Sequence, residues 1–190
     1  AAGKGCLSLR PGRGSVHDVL GEAGMRQFRQ TGRDRVAVAL SVHCDHLSVA
    51  HNGAAEDLRD SLGENREVYD FLRTAAARYG LGFWEPGAGI IHQVILENYA
   101  FPGGLLIGTD SHTPNGSGLG GCAVGVGGAD AVEAMSGLPW EVRYPRRIAV
   151  VLTGKMDGWT APKDVTLWVA GQVGVAGGTN AVVEYIGPGA

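Results

Sequence analysis

Three short polar clusters contain the side chains of this sequence that are best suited to acid–base chemistry. They are Asp45-His46, His92 and Asp110-Ser111-His112. In two of the clusters an aspartate stands within two positions of a histidine, and a carboxylate can fix the tautomer of an imidazole and raise its basicity. Such a pair can work as a general acid or base near neutral pH. Together the clusters favour an active site, although a single loop histidine is more often a surface or capping residue.

Two other kinds of site use the same residues. The first is a hydrolase with Ser111 as its nucleophile, but the Gly-x-Ser-x-Gly turn that exposes such a serine does not occur around it. The second is a metal site made of His43, Asp45, His46 and His92. The compact His-Glu-x-x-His spacing of a metalloprotease does not occur in the sequence. Both interpretations stay open here, and both are less favoured than acid–base catalysis.

Glycine is the compositional outlier, with 32 glycines in 190 residues against a usual share of about 7%. Residues 116–121 fit the Gly-x-Gly-x-x-Gly pattern of dinucleotide-binding loops. Six residues, starting at Asp110, separate this run from the preceding predicted strand, whereas the fingerprint requires an immediate turn. We therefore reject a nicotinamide or flavin site. We expect the glycines instead to offer backbone N–H groups to a carboxylate near a helix start.

Apolar periodicity predicts helices and strands that alternate along the chain. Helices are predicted over residues 15–30 (capped by Ser15), 64–79, 90–98, 120–136 and 163–173. Strands are predicted over residues 35–42, 82–84, 104–109, 146–153 and 181–185, and residues 51–65 are predicted to be irregular. This alternation indicates the α/β class, with a three-layer α/β/α architecture and a mostly parallel sheet. We expect residues 1–14 to form a flexible N-terminal arm and residues 15–190 to form one domain.

The positions of the clusters agree with this architecture. Asp45-His46 follows the predicted strand 35–42, and Asp110-Ser111-His112 follows the predicted strand 104–109. In parallel α/β sheets, ligands bind in the crevice at the carboxyl ends of the strands. The two clusters are therefore expected on the ligand-binding side of the sheet.

Composition limits the class of protein. A hydrophobic content of 44% and a charged content of 18% suit a soluble globular domain, and a net charge of −3 gives no footprint for nucleic acid or an anionic membrane. No apolar run reaches the roughly 20 residues of a membrane helix, and no secretory signal is evident. The chain begins Ala-Ala-Gly without Met, from which we expect a processed or cut product. Cys6, Cys44 and Cys122 cannot all pair within one chain, which predicts buried free thiols in a reducing compartment.

Several ordered motifs resemble the aconitase family, and its mitochondrial branch more than isopropylmalate dehydratase or homoaconitase. The first are His43-Cys-Asp-His-Leu47 and Phe83-Trp-Glu-Pro-Gly-Ala-Gly-Ile-Ile-His-Gln93. The next are Gly108-Thr-Asp-Ser-His-Thr-Pro-Asn-Gly116 and Gly125-Val-Gly-Gly-Ala-Asp130. The resemblance continues through Gly158-Trp-Thr-Ala-Pro-Lys-Asp164 and Val183-Glu-Tyr-Ile-Gly-Pro-Gly189, and it covers the chain from about Leu9 onwards.

The resemblance implies a hydro-lyase, aconitate hydratase, which isomerises citrate and isocitrate through cis-aconitate. It implies a four-iron four-sulfur cluster, one iron of which acts as the Lewis acid on the departing hydroxyl. Asp45-His46 would be the pair that gives a proton to that hydroxyl, and His92 and Asp110 would lie around the labile iron and its water. Ser111 would bind a substrate carboxylate, and His112 would line the same pocket. His17 and Asp110 would also contact the substrate.

The resemblance also implies that part of the family's machinery lies elsewhere. The cysteine ligands of the cluster, the substrate-clamping arginines and the proton-abstracting serine of the family match no position of this chain, so this stretch alone is expected to be inactive. The partners implied are the three tricarboxylates and the remaining aconitase domains or a companion chain. No nucleic acid or membrane partner is expected, and the implied location is the mitochondrial matrix. A non-catalytic aconitase-like subunit or interaction module in a larger assembly is the alternative.

Two positions depart from the family pattern. His17 stands where the family usually has a substrate-contacting Gln, and a His can still donate a hydrogen bond there. Ser117 stands where glycine is usual, so we expect it to tolerate any positive φ of the turn at some energetic cost.

Overall fold

The computed structural model describes residues 5–190. These residues form two compact units. The main unit is Leu9–Trp140, and the small unit comprises Glu141–Ala190 with residues 5–8. The main unit contains all the predicted site residues.

The elements follow one another as strands and helices. The strands are β1 Cys6–Leu9, β2 Arg13–His17, β3 Ala39–His43, β4 Gly82–Trp84, β5 Leu105–Gly108, β6 Cys122–Gly125, β7 Trp140–Arg143, β8 Arg146–Val151 and β9 Ala181–Ile186. The helices are α1 Asp18–Gln30, α2 Ala54–Glu64, α3 Arg66–Tyr79, α4 Ile91–Asn98, α5 Gly128–Met135 and α6 Pro162–Val173, with a 3-10 helix at Thr113–Ser117.

The main unit is built on a five-stranded sheet in the order β4-β3-β2-β5-β6. Every neighbouring pair in it is parallel. The strand order changes direction between β2 and β5, because the chain builds outwards from β2 to β4 and then returns to place β5 on the other side of β2. Such a switch point opens a crevice at the carboxyl ends of the strands. The predicted α/β class and parallel sheet are confirmed.

Helices cover both faces of this sheet. One face is buried under α1, α3 and α5, whose contribution to the larger core cluster includes Met25, Phe28, Tyr69, Leu72, Ala131 and Met135. The opposite face carries α4, where Ile91 and Ile95 pack against Leu106 and Ala123. The three-layer architecture is therefore confirmed. The face under α4 is apolar only beside β5 and β6, and it is polar beside β2 and β3.

Three of the element boundaries differ from the predictions. The first helix begins at Asp18, because Ser15 lies inside β2, in register between Ser41 of β3 and Gly108 of β5. Residues predicted to be irregular contain α2, an amphipathic helix with few large apolar residues. The helix predicted over residues 120–136 is two elements, β6 and α5. In α2 and in the stretch from β6 to α5, glycine and polar residues concealed the apolar periodicity.

The predicted arm over residues 1–14 includes β1 and the first residues of β2, and its first four residues lie outside the described part of the chain. The interpretation of residues 15–190 as one domain stays a prediction, since these residues contribute to both compact units. Within the small unit, β8 and β9 pair in parallel from Arg146 with Ala181 to Val151 with Ile186. Over the described residues, no helix combines the length and hydropathy needed to span a bilayer.

Close backbone contact between β6 and the turn after β5 gives a test of this geometry. A Cβ placed on Gly125 would lie 2.8 Å from the Asp110 carbonyl oxygen, so Gly125→Ala should displace the turn that carries Asp110. We expect a loss of about 1–3 kcal/mol in the free energy of unfolding, as for other overpacked positions. Urea denaturation measures it.

Gly128→Ala is the matched control, because a Cβ on Gly128 at the start of α5 would meet no atom within 4 Å. Alanine is the better helix former, so this variant should be neutral or more stable by up to about 1 kcal/mol. Equal stability of the two variants would contradict the close approach of β6 to Asp110.

Candidate active site

The predicted site residues come together at the carboxyl ends of β2, β3 and β5, beside the switch point. His17 is the last residue of β2, and Asp45-His46 follows β3. Asp110 follows β5, and His92 lies in the first turn of α4. Residues far apart in sequence therefore share one edge of the sheet, as the strand ends of a parallel sheet require.

Asp110 is the centre of the site. Its Oδ2 is 2.5 Å from Nε2 of His46, and its Oδ1 is 3.0 Å from Nε2 of His92. The same Oδ1 accepts the backbone N–H of His112 at 2.6 Å. The carboxylate is only 7% exposed, so the surrounding protein supplies most of its hydrogen-bond donors.

The donors decide the charge of Asp110. Burial raises the pKa of the Asp110 carboxyl, but the N–H of His112, the hydrogen bond to His46 and the charges of His92 and His46 outweigh burial and lower it to about 2. A carboxylate that accepts several hydrogen bonds is stabilised in its charged form. Asp110 is therefore ionised throughout the physiological range.

His46 lies between two carboxylates. Its Nδ1 is 2.9 Å from Oδ1 of Asp45, and its Nε2 faces Asp110. Burial lowers the pKa of the His46 imidazole, but the charge of Asp45, the hydrogen bonds to both aspartates and the charge of Asp110 raise it from its ordinary value of 6.5. Both ring nitrogens face acceptors, so this arrangement favours the doubly protonated imidazolium, which is a proton donor.

Asp45 also connects the loop after β3 to α4. Its second oxygen, Oδ2, accepts the N–H of Ile91 at 2.7 Å, which is the first residue of the helix. A carboxylate at a helix N-terminus is favoured both by the free N–H groups and by the helix dipole. The contact therefore fixes the start of α4, and with it the position of His92, relative to Asp45.

Asp18 is a site residue that the sequence reasoning missed. Its side chain is fully buried at the first residue of α1 and accepts the N–H groups of Val19, His46 and Leu47, each at 3.1 Å. Burial raises the pKa of Asp18 despite these hydrogen bonds. The carboxylate ties the loop after β3 to α1. The available signal was an acidic residue in the first turn of a predicted helix. The sequence alone does not show that the loop after β3 lies next to it.

His17 packs against His46, with ring centroids 4.3 Å apart and an interplanar angle of 38°. Burial and the neighbouring charge of His46 lower the pKa of His17, despite the opposing charges of Asp110 and Asp18. His17 is therefore the neutral member of the pair. Its Nδ1 is buried and has no hydrogen-bond partner in the described structure.

Ser111 and His112 form the open side of the site. Both are exposed, and Ser111 Oγ lies 3.2 Å from His112 Nδ1. The turn beneath them is fixed because the hydroxyl of Thr113 donates to the Asp110 carbonyl at 2.6 Å. These side chains are thus accessible to a ligand while their backbone is held.

The hydrolase alternative fits the geometry less well. In a Ser-His-Asp triad the imidazole uses one nitrogen for the serine and the other for the aspartate. Here Nδ1 of His112 faces both Ser111 Oγ at 3.2 Å and Asp110 Oδ1 at 3.4 Å. A proton relay from Ser111 through His112 to Asp110 therefore has no path.

The predicted four-residue metal set is not the set that the fold brings together. His43 is 1% exposed and bonds to Ser41, in the layer below the site. The groups whose potential ligand atoms converge in the described residues are His17-Asp18-His46 and His92-Asp110-His112. Strand order, rather than sequence spacing, determines this grouping.

Residues 116–121 do not lie at the start of the next α-helix. They run from the 3-10 helix into β6, and α5 begins only at Gly128, so the expected position at a helix start is wrong. Ser117 also lies in the 3-10 helix, and among the described residues Asn180 is the one non-glycine residue with positive φ. The expected backbone cost at Ser117 is therefore wrong as well. Its Oγ instead accepts the N–H of Ala123 at 2.8 Å.

The cysteines are free thiols, and the prediction that they are buried holds for Cys44 alone. Burial, reinforced by the nearby charges of Asp18 and Asp45, raises the pKa of Cys44 to about 12. Cys6 and Cys122 are exposed, in β1 and at the start of β6. No group of potential metal ligands within residues 5–190 contains a cysteine. These thiols therefore do not fit an iron–sulfur cluster as a ligand set.

The role of Asp18 can be tested with Asp18→Asn, which replaces one of the two accepting oxygens by a donor. We expect a loss of about 1–3 kcal/mol in unfolding free energy, because a buried acceptor group loses partners. The amides of His46 and Leu47 should exchange faster with deuterium. Asp57→Asn is the control, because Asp57 accepts the N–H groups of residues 51–53 in the same way. If Asp57→Asn accelerates exchange at His46 equally, the assignment to Asp18 fails.

The charges of the site predict a pH window of stability. Asp110 stabilises the fold fully above its ordinary pKa of 3.8 and loses this contribution as pH falls through about 2. His46 contributes fully below 6.5 and loses its contribution as pH rises through its raised pKa. The difference in unfolding free energy between the wild type and Asp110→Asn should therefore be largest between pH 3.8 and pH 6.5.

Urea denaturation over a pH series measures that difference. The control is Asp60→Asn on α2, since Asp60 is exposed and pairs with Arg59, and surface pairs contribute little. A difference for Asp110→Asn that does not change with pH would contradict the charged His46–Asp110 pair.

Known proteins resemble this chain over nearly its whole length. The sequence profile described as "Aconitase family (aconitate hydratase)" matches residues 2–190. "Aconitate hydratase, mitochondrial" of Gracilaria gracilis is 58% identical over 98% of this chain and 24% of its own length. Proteins of the same name from Schizosaccharomyces pombe and Candida albicans are 59% and 58% identical over 96% of this chain, and 23% and 24% of their own lengths. The chain thus spans about a quarter of the length of the curated relatives it matches.

Proposed function

This chain belongs to the aconitase family, and on that premise we propose that it forms one wall of the active site of an aconitate hydratase. The proposed reaction interconverts citrate and isocitrate through cis-aconitate by removing and re-adding water. The observation that carries the proposal is the hydrogen-bonded array of Asp45, His46, Asp110 and His92 at the switch point. It combines a proton donor with two fixed carboxylates at the carboxyl ends of the strands.

In this proposal His46 protonates the departing hydroxyl of the substrate. Hydroxide is a poor leaving group, so its departure requires an acid in contact with it. Nε2 of His46 carries a proton that Asp110 accepts in the free site, while Asp45 fixes the other ring nitrogen. If a substrate hydroxyl takes the place of Asp110 as the acceptor, His46 gives this proton to the leaving oxygen. In the hydration direction the neutral imidazole takes the proton back.

The remaining residues are assigned to substrate binding. We assign Ser111 and His112 to a substrate carboxylate, because both are exposed at the open side of the site and a hydroxyl and an imidazole can both donate hydrogen bonds. His17 offers a buried nitrogen next to His46. Asp110 and His92 hold the proton-bearing groups in place around the reacting centre.

Membership of this family implies an iron–sulfur cluster. We propose the four-iron four-sulfur type, held by residues outside this chain, in the remaining aconitase domains or a companion chain. This agrees with the cysteines described above, none of which belongs to a group of potential metal ligands in the described residues. No step of the proposed mechanism is therefore assigned to cysteines of this chain. We also propose the mitochondrial matrix as its location, because similar proteins carry mitochondrial names.

The proposal predicts a large catalytic effect at His46. In the complete enzyme with its cluster, His46→Ala should lower turnover by about 10²–10⁴-fold, as expected when a general acid is removed. The decisive assay follows the ultraviolet absorbance of cis-aconitate during citrate dehydration. The circular dichroism spectrum should stay that of the wild type, because the His46 side chain is 34% exposed and lies outside the core.

His51→Ala is the matched control, because His51 is an exposed histidine of the following loop and contacts no residue of the site through its side chain. Its turnover should equal that of the wild type. Unchanged turnover in His46→Ala would remove His46 from the mechanism. Absence of any citrate dehydration by the complete, cluster-loaded protein would refute the proposed function itself.

A further inference from the structure

Five side chains under α4 form a closed ring of contacts that the proposed mechanism does not use. We call it the polar ring; its members are Arg13, Ser41, His43, Trp84 and Tyr99. They come from β2, β3, β4 and the end of α4. Ser41 and His43 are fully buried, and the other three members are half-buried. Buried polar residues require a reason, because apolar side chains would pack there at lower cost.

Each contact of the polar ring leads to the next. Arg13 donates from Nη2 to Ser41 Oγ at 3.4 Å, and Ser41 Oγ lies 2.8 Å from Nε2 of His43. His43 stacks on Trp84 with an interplanar angle of 6°. Trp84 Nε1 donates to the hydroxyl of Tyr99 at 2.8 Å, and the Tyr99 ring lies 3.2 Å from the Arg13 guanidinium carbon. The polar ring thus fixes the imidazole of His43 in position and orientation.

The same region holds nearly all the buried polar atoms that have no partner. Among the described residues six such side-chain atoms occur, and they are Arg13 Nε, Ser15 Oγ, His17 Nδ1, His43 Nδ1, His92 Nδ1 and Ser136 Oγ. Five of the six belong to β2, β3 or α4, and only Ser136, at the end of α5, lies elsewhere. Buried polar atoms are normally paired with protein or with ordered water. Their concentration here indicates internal water between the sheet and α4.

The hydrogen-bond geometry gives complementary roles to two of these atoms. His43 Nε2 is the one acceptor within reach of the Ser41 hydroxyl proton in the described structure, so Nε2 accepts and Nδ1 carries the hydrogen of the neutral ring. Nε2 of His92 faces the Asp110 carboxylate, which can only accept, so Nε2 carries the hydrogen there. In neutral His92 the other nitrogen, Nδ1, is an acceptor. A buried donor on His43 and a buried acceptor on His92 thus both require a partner, and the two imidazoles are close enough for the charge of His92 to lower the pKa of His43.

We propose that His43 is a positioning residue for His92, acting through one buried water that accepts from His43 Nδ1–H and donates to His92 Nδ1. The polar ring fixes His43, His43 fixes the water, and the water fixes the tautomer and orientation of His92 against Asp110. An outer hydrogen bond of this kind is what determines which nitrogen of an imidazole carries the proton. The assignment of His92 to catalysis rests on the proposed function, but the hydrogen bond itself does not.

The wild-type chain provides the first test. Long-range ¹H–¹⁵N NMR of the ¹⁵N-histidine-labelled full chain at neutral pH reports the tautomer of each imidazole. We expect His43 as the Nδ1–H tautomer and His92 as the Nε2–H tautomer, with a cross-peak between the His43 ring proton and a bound water. A His43 ring protonated on Nε2 would overturn the proposal without any variant.

Variants provide the second test. In Ser41→Ala the polar ring is broken, so His43 should become a mixture of tautomers. The Nδ1 signal of His92 should then move downfield, as an unprotonated ring nitrogen does when it loses a hydrogen bond. Ser41→Thr keeps the hydroxyl at a position whose register partner, Gly82, has no side chain, and it should restore the wild-type signals. Ser136→Ala, which removes an equally unpartnered buried hydroxyl, should change neither histidine.

The outcomes separate this inference from the proposed function. If Ser41→Ala alters His43 but leaves the His92 Nδ1 signal unchanged, the link between the two histidines does not exist. If the signals move as expected but the complete enzyme shows no aconitate hydratase activity, the link stands and the proposed function falls. If Ser41→Ala does not fold, the wild-type tautomers and Ser41→Thr still decide the matter.

Discussion

The site depends on the charge of one buried carboxylate, that of Asp110. A carboxylate that is 7% exposed is unstable unless donors surround it, and here two imidazoles and a backbone N–H do so. Each of these donors comes from a different segment, after β3, in α4 and in the turn after β5. Asp110 therefore fixes those three segments relative to one another. The same carboxylate stabilises the protonated form of His46. One interaction therefore both fixes the geometry of the site and keeps its proton donor protonated.

A second layer of buried polar contacts supports this centre. Asp18 holds the loop of His46 through the backbone N–H groups of His46 and Leu47, and Asp45 holds the start of α4. Below them the polar ring occupies the face of the sheet that would otherwise be apolar. Side chains that carry out chemistry need neighbours that lock their rotamers and protonation states. In this fold those neighbours replace part of the hydrophobic core, and the core on the α1 face remains apolar.

Much of the fold could be predicted from the sequence, and the predictions that were wrong have local causes. Apolar periodicity gave α3, α4, β5 and β9 within a few residues, because each element presents a regular apolar stripe or run. It missed α2, where the apolar residues are sparse, and it merged β6 with α5 across a run of glycines. Ser15 resembled a helix cap, yet it pairs between two neighbouring strands, which only the sheet can show.

The sequence by itself determined which residue types are available at the strand ends: aspartate beside histidine at positions 45–46 and 110–112, and His92 at a helix start. Only the tertiary structure decided which carboxylate meets which imidazole. His46 bonds Asp110, 64 residues away, and His43, adjacent to the site in sequence, belongs to a different layer. The physical reason is strand order: placing β2 between β3 and β5 creates these contacts, and a local pattern of residues does not encode the order of strands in a sheet.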